Sequence, residues 1–125
     1  MILLIALLSH LFILQTSEYS IEFSRVDNRA TVHINDSLVY NTGTIDGNPE
    51  LSLKVNLTDF MKTGVNYIRV DVYNGSGADF DSFDENWEVY YEIFKNQDPI
   101  DFFTEKSSNG TAGLVSSMTY EVVVN

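Results

Sequence analysis

Short runs in which apolar and polar residues alternate strictly are the feature that most constrains the fold of this chain. Leucine or valine occupies every second position of Leu51–Leu57, and Ile68–Val72 and Trp87–Ile93 repeat the pattern. A period of two sends successive side chains to opposite faces, as in a strand with one face on a core. Turn residues such as Asp27-Asn28 and Asn96–Pro99 separate the runs.

The spacing of these runs predicts the fold class. No segment after residue 20 has the apolar periodicity of a long amphipathic helix. About eight strands at this spacing predict an all-β fold, an antiparallel β-sandwich of the jelly-roll type.

Local signals predict some of the connections. Turn residues at Asp27-Asn28 and Asp36-Ser37 predict two consecutive hairpins between residues 19 and 41. Thr58 is expected to cap a single helical turn, and Gly64 is expected to end it in a left-handed conformation.

The composition limits the classes of partner. The 125 residues are enough for one domain, and they include no cysteine, so no disulfide framework or thiolate metal site is possible. The formal net charge is −11, from 18 acidic and 7 basic residues. Such a surface repels phosphate backbones, so nucleic acid is excluded as a partner, whereas cations and neutral ligands such as sugars remain suitable.

The first residues predict a targeting segment. The apolar run Ile2–Leu14 is too short to span a bilayer comfortably but has the length of a signal-peptide core. We therefore expect residues 1–18 to be a signal segment, residues 19–125 to form a single β-sandwich domain, and the protein to be secreted, extracellular or periplasmic, with no stable membrane span. A buried first strand or a short helix is the alternative for the apolar run.

The segments Ala30–Asp36, Asn56–Phe60 and Gly64–Asn74 carry a pattern more specific than alternation alone. This pattern resembles that of the galactose-binding-like jelly roll: Asn-Leu-Thr-Asp-Phe is followed by Gly-x-Asn and then by an alternating apolar strand. This is the fold of the accessory sugar-binding domains of family 2 glycoside hydrolases and of many carbohydrate-binding modules. The resemblance covers roughly residues 19–94, judged by strand pattern.

The resemblance implies a jelly roll that binds carbohydrate and often holds a structural Ca²⁺ in a loop. The chain departs from the family pattern at His33, where an aromatic residue is common, and at Asp36, where glycine is common. The family's sugar contacts therefore cannot be transferred to this chain residue by residue, and the glycosidase catalytic barrel is absent.

The acidic stretch Gly75–Trp87 contains the candidate metal ligands. Ca²⁺ takes roughly six to eight oxygen ligands, and carboxylates are suitable donors. The spacing of the acids is not that of an EF-hand loop, and a solvated acidic loop between two strands is the alternative interpretation. Ca²⁺ is the one cofactor that the sequence indicates, and its candidate ligands are Asp79, Asp81, Asp84 and Glu85.

Five other residues are candidate contacts for a carbohydrate or glycoprotein ligand. Tyr90 lies between two glutamates on the polar face of its strand, and a flat ring flanked by hydrogen-bonding groups suits a sugar. An ordinary solvated sheet face is the alternative. The loops Thr44–Asn48, Asn74–Asn86 and Lys106–Ala112 are expected to provide further contacts from one end of the sandwich. The five candidates are Asp46, Asn48, Glu88, Tyr90 and Glu92.

The sequence gives only weak signals of a catalytic site. Glu88 and Glu92 stand four residues apart on one strand, about 13 Å, which is too far for the acid–base pair of a glycosidase. His33 is the one histidine after the N-terminal segment, so a multi-histidine zinc site is excluded. We therefore expect a binding module that is not an enzyme. The alternatives are a structural or protein-interaction module for adhesion or assembly, whose partner is another protein, and a small hydrolase.

Overall fold

Two antiparallel sheets of four strands pack face to face in a computed structural model that describes residues 17–76 and 84–125. The predicted all-β sandwich of about eight strands is confirmed. In the described residues the only helical element is a 3₁₀ turn at Thr58–Phe60, and no helix is long and apolar enough to cross a bilayer. The strands are β1 (Tyr19–Asp27), β2 (Arg29–Ile34), β3 (Ser37–Asn41), β4 (Leu53–Asn56), β5 (Gly64–Asn74), β6 (Trp87–Lys95), β7 (Asp98–Ser107) and β8 (Gly113–Val124).

The strand order interleaves distant parts of the chain. One sheet has the order β4-β1-β6-β7 and the other β3-β2-β5-β8, with every neighbouring pair antiparallel. Only the β2–β3 and β6–β7 connections join neighbours within a sheet, and the other connections cross between the sheets. The predicted signal segment lies almost wholly outside the described residues, which begin at Ser17.

The core is built from the alternating strands that the sequence predicts. On β6, Trp87, Val89, Tyr91 and Ile93 are all buried, and the apolar face of β5 is buried as well. The ring of Tyr91 lies 5.6 Å from that of Phe23 across the sheet, in an edge-to-face arrangement typical of aromatic pairs. Burial raises the pKa of the Tyr91 hydroxyl, which shares a 2.7 Å hydrogen bond with the hydroxyl of Tyr120.

The hairpin expected at Asp27-Asn28 is wrong, because β1 and β2 belong to different sheets. The chain crosses between the sheets here, and Asn28 anchors the corner with long-range hydrogen bonds. Its backbone N–H donates to the carbonyl of Tyr73 (3.0 Å), and its Oδ1 accepts from the N–H of Gly75 (2.7 Å). The Asp-Asn pair therefore supports a crossover. The second expected hairpin, β2–β3, is confirmed, with Asn35 and Asp36 at positive φ in its turn.

The Thr58 turn differs in detail from the expectation. The Thr58 hydroxyl does not cap the turn, because it accepts a hydrogen bond from the N–H of Tyr19 (2.9 Å). The side chain of Asn56 instead accepts from the N–H of Thr58 (2.9 Å). Gly64 has the expected positive φ, +96°, which few residues other than glycine adopt readily.

Asn66, the asparagine of the Gly-x-Asn motif, is fully buried. Its Oδ1 accepts from the N–H of Lys62 and from Nδ2 of Asn35, both at 3.0 Å. Its Nδ2 donates to the carbonyls of Lys62 (2.8 Å) and Gly64 (3.1 Å). This one amide closes the turn before β5 and ties it to the β2–β3 hairpin, and the buried donors and acceptor of Asn66 itself are all satisfied.

The three loops proposed as ligand loops lie at the same end of the sandwich. Asn28 bridges to Ile45 in the loop before β4 and binds Gly75 at the start of the loop before β6. The N–H of Gly110, before β8, donates to the carbonyl of Glu85 (2.8 Å). The described parts of these loops therefore form one continuous end of the molecule.

Candidate ligand-binding surface

A β-bulge turns Arg25 onto the outer face of the β4-β1-β6-β7 sheet. Phe23 faces the core opposite Tyr91, and strict alternation would point Arg25 inward as well. The register between β1 and β6 shifts between these residues, so that Arg25 lies opposite Tyr90 and Val26 takes the buried position. A bulge re-aims side chains in this way because it adds one residue to one strand only.

Arg25 joins a loop to the face of β6. Its Nη1 donates to the carbonyl of Asn48 at 2.6 Å, and its Nη2 lies 3.5 Å from a carboxylate oxygen of Glu50. Its Nε lies 3.7 Å from Oε1 of Glu88. The planar guanidinium offers several donors in fixed directions, so one side chain holds groups from two segments in place. Sequence reasoning did not identify Arg25 as a site residue.

The neighbouring positions of β6 are also held by hydrogen bonds or ion pairs. Glu88 lies between Arg25 and Lys106, whose Nζ is 3.7 Å from Oε2 of Glu88. The Tyr90 hydroxyl donates to Oε1 of Glu92 at 2.7 Å, and this hydrogen bond raises the pKa of Tyr90. The half-exposed Tyr90 ring therefore stands on a face whose polar groups have defined positions.

The structure brings the five candidate ligand residues to one region. Arg25 contacts Asn48 and Glu88 and lies opposite Tyr90 in the β1–β6 ladder, beside the Tyr90–Glu92 pair. Asp46 lies two positions before Asn48 in the same loop, and its Oδ1 accepts from Nδ2 of Asn28 at 3.3 Å. We call this region the Arg25 surface. It consists of Arg25, Asp46, Asn48, Glu88, Tyr90 and Glu92.

Acidic residues gather where the Arg25 surface meets the loop end of the sandwich. Asp27 lies opposite Glu88 in the β1–β6 ladder. Partial burial raises the pKa of Asp27, and the negative charges of Asp84, Asp46 and Glu88 raise it further, while a hydrogen bond from the Asn28 amide opposes them. Each of these acids therefore makes the ionised form of Asp27 less favourable, and a bound cation would relieve the repulsion.

Only part of the predicted calcium loop can be placed. Asp79 and Asp81 lie outside the described residues, whereas Asp84 and Glu85 are exposed. Oδ1 of Asp84 accepts from the N–H of Asn86 (2.8 Å), which leaves the other carboxylate oxygen without a hydrogen bond in the described part of the chain. Among residues 17–76 and 84–125, no three Asp, Glu or His side chains converge closely enough to hold a metal ion. Calcium binding stays a prediction.

A serine, a histidine and an acid do meet on the outer face of the other sheet. The Ser117 hydroxyl donates to Oδ1 of Asp71 at 2.5 Å, and Nδ1 of His33 lies 3.9 Å from Oδ2 of the same carboxylate. Arg69 also contacts this oxygen, at 3.3 Å. In a serine hydrolase the serine hydroxyl is hydrogen-bonded to one ring nitrogen of the histidine, and the acid is hydrogen-bonded to the other ring nitrogen. Here the acid stands between them, so this trio does not form a nucleophile–base pair.

Comparisons with known proteins add no relationship. No protein-family model matches the chain, and no curated protein or solved structure is similar enough to indicate a common family.

Proposed function

We propose that this protein is a secreted or periplasmic, non-catalytic module that binds a carbohydrate or glycoprotein through the Arg25 surface. The observation that supports the proposal most is the arrangement of Tyr90 and Glu92 beside Arg25 and Glu88. A sugar presents C–H groups on one ring face and hydroxyls at its edge. An aromatic ring flanked by carboxylates matches both, because it offers apolar contact and hydrogen-bond acceptors together.

Preorganisation is the second argument. Arg25 fixes the carbonyl of Asn48, and Glu92 fixes the Tyr90 hydroxyl, before any ligand arrives. A surface whose side chains are already ordered loses less conformational entropy on binding than a mobile one. The resemblance of residues 19–94 to galactose-binding-like jelly rolls supports the same class of ligand, although the sandwich architecture alone hosts many functions.

Replacing Tyr90 with alanine is expected to weaken binding to the glycan that a glycan array identifies, because the stacking ring is lost. Aromatic stacking of this kind contributes about 0.5–1.5 kcal/mol, so the dissociation constant should rise by about twofold to twelvefold in calorimetry. Tyr67→Ala is the matched control: Tyr67 is 51% exposed on the outer face of the opposite sheet.

Two results would count against the proposal. A blank array with folded protein would exclude a carbohydrate ligand among the glycans displayed and favour a protein partner. Equal losses of affinity in Tyr90→Ala and Tyr67→Ala would show that the ligand does not use the Arg25 surface.

We further propose that Ca²⁺ assists binding at the acidic end of this surface, through Asp84 and Glu85 with Asp79 and Asp81. Millimolar Ca²⁺ is expected to raise the melting temperature, because an ion that binds only the native state stabilises it by about 2.7 kcal/mol at a hundredfold excess over Kd. Asp84→Asn should remove most of the shift while keeping the oxygen that accepts from Asn86. A wild-type melting temperature that Ca²⁺ leaves unchanged would eliminate the calcium proposal without affecting the sugar proposal.

A protein-interaction module for adhesion or assembly is the second candidate function. Among residues 17–76 and 84–125, β8 pairs with β5 alone, and this favours such a module, since an unpaired strand edge can add a strand from another protein. A small hydrolase is the third candidate function, and no arrangement of catalytic side chains in the described residues supports it.

A further inference from the structure

The described strands leave four sheet edges, and three of these are protected against pairing with another strand. The edge strands β3 and β4 have only five and four residues. The longer edge strand β7 contains Pro99, and its charged residues Asp101 and Glu105 lie opposite the core-facing residues of β6. Short edges, proline and inward-pointing charges are the devices that keep sheet edges from aggregating.

The edge of β8 lacks proline and inward-pointing charge, and the one such device it shows is a β-bulge at Val115, close to one end of the strand. The strand is 12 residues long, and Glu121 is its one charged residue. In the described part of the chain it pairs with β5 alone. Leu114 near one end is 54% exposed, Val123 near the other end is 53% exposed, and Met118 in the middle is 36% exposed. A long, nearly uncharged edge with exposed apolar side chains is a template for strand addition.

We propose that β8 pairs antiparallel with β8 of a second copy of this chain, about a two-fold axis close to Thr119. The pairing joins two β3-β2-β5-β8 sheets into one continuous sheet of eight strands. An antiparallel edge is self-complementary under a two-fold axis, because the same backbone donors and acceptors face each other in both directions.

The distribution of side chains selects a second copy as the occupant. Pairing about Thr119 sets Glu121 of one copy opposite Ser117 of the other, so the only charges on the strand do not meet. It also brings the Leu114 end of one copy to the Val123 end of the other, and Met118 beside Tyr120. The net charge of −11 repels two copies at most contacts. β8 brings only one charged residue to such a contact, whereas the other long edge strand, β7, has four: Asp98, Asp101, Glu105 and Lys106.

Such a dimer would carry two ligand surfaces on the same side. The two-fold axis runs perpendicular to the joined sheet. Both β4-β1-β6-β7 sheets therefore lie on the same side of the joined sheet. Their outer faces, which carry the Arg25 surfaces, then point in the same general direction. A polymer or a cell surface with repeated ligands would engage both copies, and the second contact would be intramolecular.

Sedimentation equilibrium on the whole protein tests the pairing. Wild-type protein is expected to form a dimer between micromolar and millimolar concentration. Thr119→Glu places like charges opposite each other at the axis and should raise the dissociation constant by at least about tenfold. Within each copy the new carboxylate lies opposite Arg69 on β5, a favourable charge pair that should preserve the fold. Thr119→Lys should also be monomeric, and an equal mixture of the two variants should dimerise again. Thr104→Glu, on the exposed edge strand β7, is the matched control and should dimerise like wild type.

Three outcomes would overturn the proposal: a wild-type chain that stays monomeric at millimolar concentration, a Thr119→Glu variant that dimerises as tightly as wild type, or a mixture of the two Thr119 variants that stays monomeric. Circular dichroism and melting curves on each variant establish that a loss of dimer is not a loss of fold.

Discussion

Asn66→Ala is expected to destabilise the protein by about 3–5 kcal/mol, among the largest effects of any single substitution in this chain. The side chain is completely buried and makes four hydrogen bonds. Replacing it with alanine breaks all four hydrogen bonds at once, and each contributes about 0.5–1.5 kcal/mol net. Urea unfolding measures the loss.

Two further variants make this prediction specific. Asn109→Ala removes an exposed asparagine from the loop before β8 and should change stability by no more than about 0.5 kcal/mol. Asn66→Asp keeps the oxygen that accepts from Lys62 but loses the donors and places a carboxylate in a buried site. It should therefore be strongly destabilised at neutral pH and recover partly as the pH falls, since protonation removes the buried charge. A loss in Asn66→Ala no greater than that in Asn109→Ala would contradict the account.

Gly110→Ala should destabilise the protein by about 2–3 kcal/mol through steric overlap with Trp87. A Cβ atom at Gly110 would lie 2.4 Å from Cδ1 and 2.8 Å from Nε1 of the Trp87 ring, well inside contact distance. The ring is only 4% exposed and belongs to the core, so it has little room to move. Fluorescence of Trp87, the single tryptophan, monitors unfolding and reports the altered packing directly.

The controls separate overlap from backbone strain. Gly47 has a positive φ of +80° but open space around its Cβ position, so Gly47→Ala should cost only about 1 kcal/mol. Trp87→Phe provides a smaller ring, and the double variant Trp87→Phe/Gly110→Ala should be more stable than the sum of the single effects predicts, as measured by circular dichroism. Strict additivity of the two substitutions would show that the two residues do not compete for the same space.

The central strands were predictable from sequence because one physical cause dominates them. β5 and β6 each lie between two neighbours with one face on the core, so burial alone sets their period of two. The same pattern correctly assigned Trp87 to the core and Tyr90 to the outer face.

Local signals failed where distant pairing decides the geometry. Asp27-Asn28 has turn chemistry, but the sequence does not tell whether a turn reverses the chain within a sheet or carries it to the other sheet. The bulge that exposes Arg25 depends on the pairing of β1 with β6. One local signal was present: Val26 is apolar and out of phase with Phe23, which an unbroken alternation does not allow.

The candidate site was predictable only in pieces. Tyr90 and its flanking glutamates follow from the period of their strand, and Asp46 and Asn48 follow from loop composition. The contacts of Arg25 with Asn48 and Glu88 required the three-dimensional structure, because the guanidinium reaches a carbonyl 23 positions along the chain.

The position of β1 in the middle of its sheet has a consequence for synthesis. Its two neighbours are β4 and β6, so Ile21 and Phe23 cannot be covered from the β6 side until Lys95 has been made. While residues 28–95 are translated, this apolar strand leaves the ribosome without its main partner and is available to chaperones. Ribosome-bound chains should therefore gain resistance to protease only once β6 has emerged from the exit tunnel. Resistance in chains that end before Trp87 would show that an earlier part of the sandwich folds on its own.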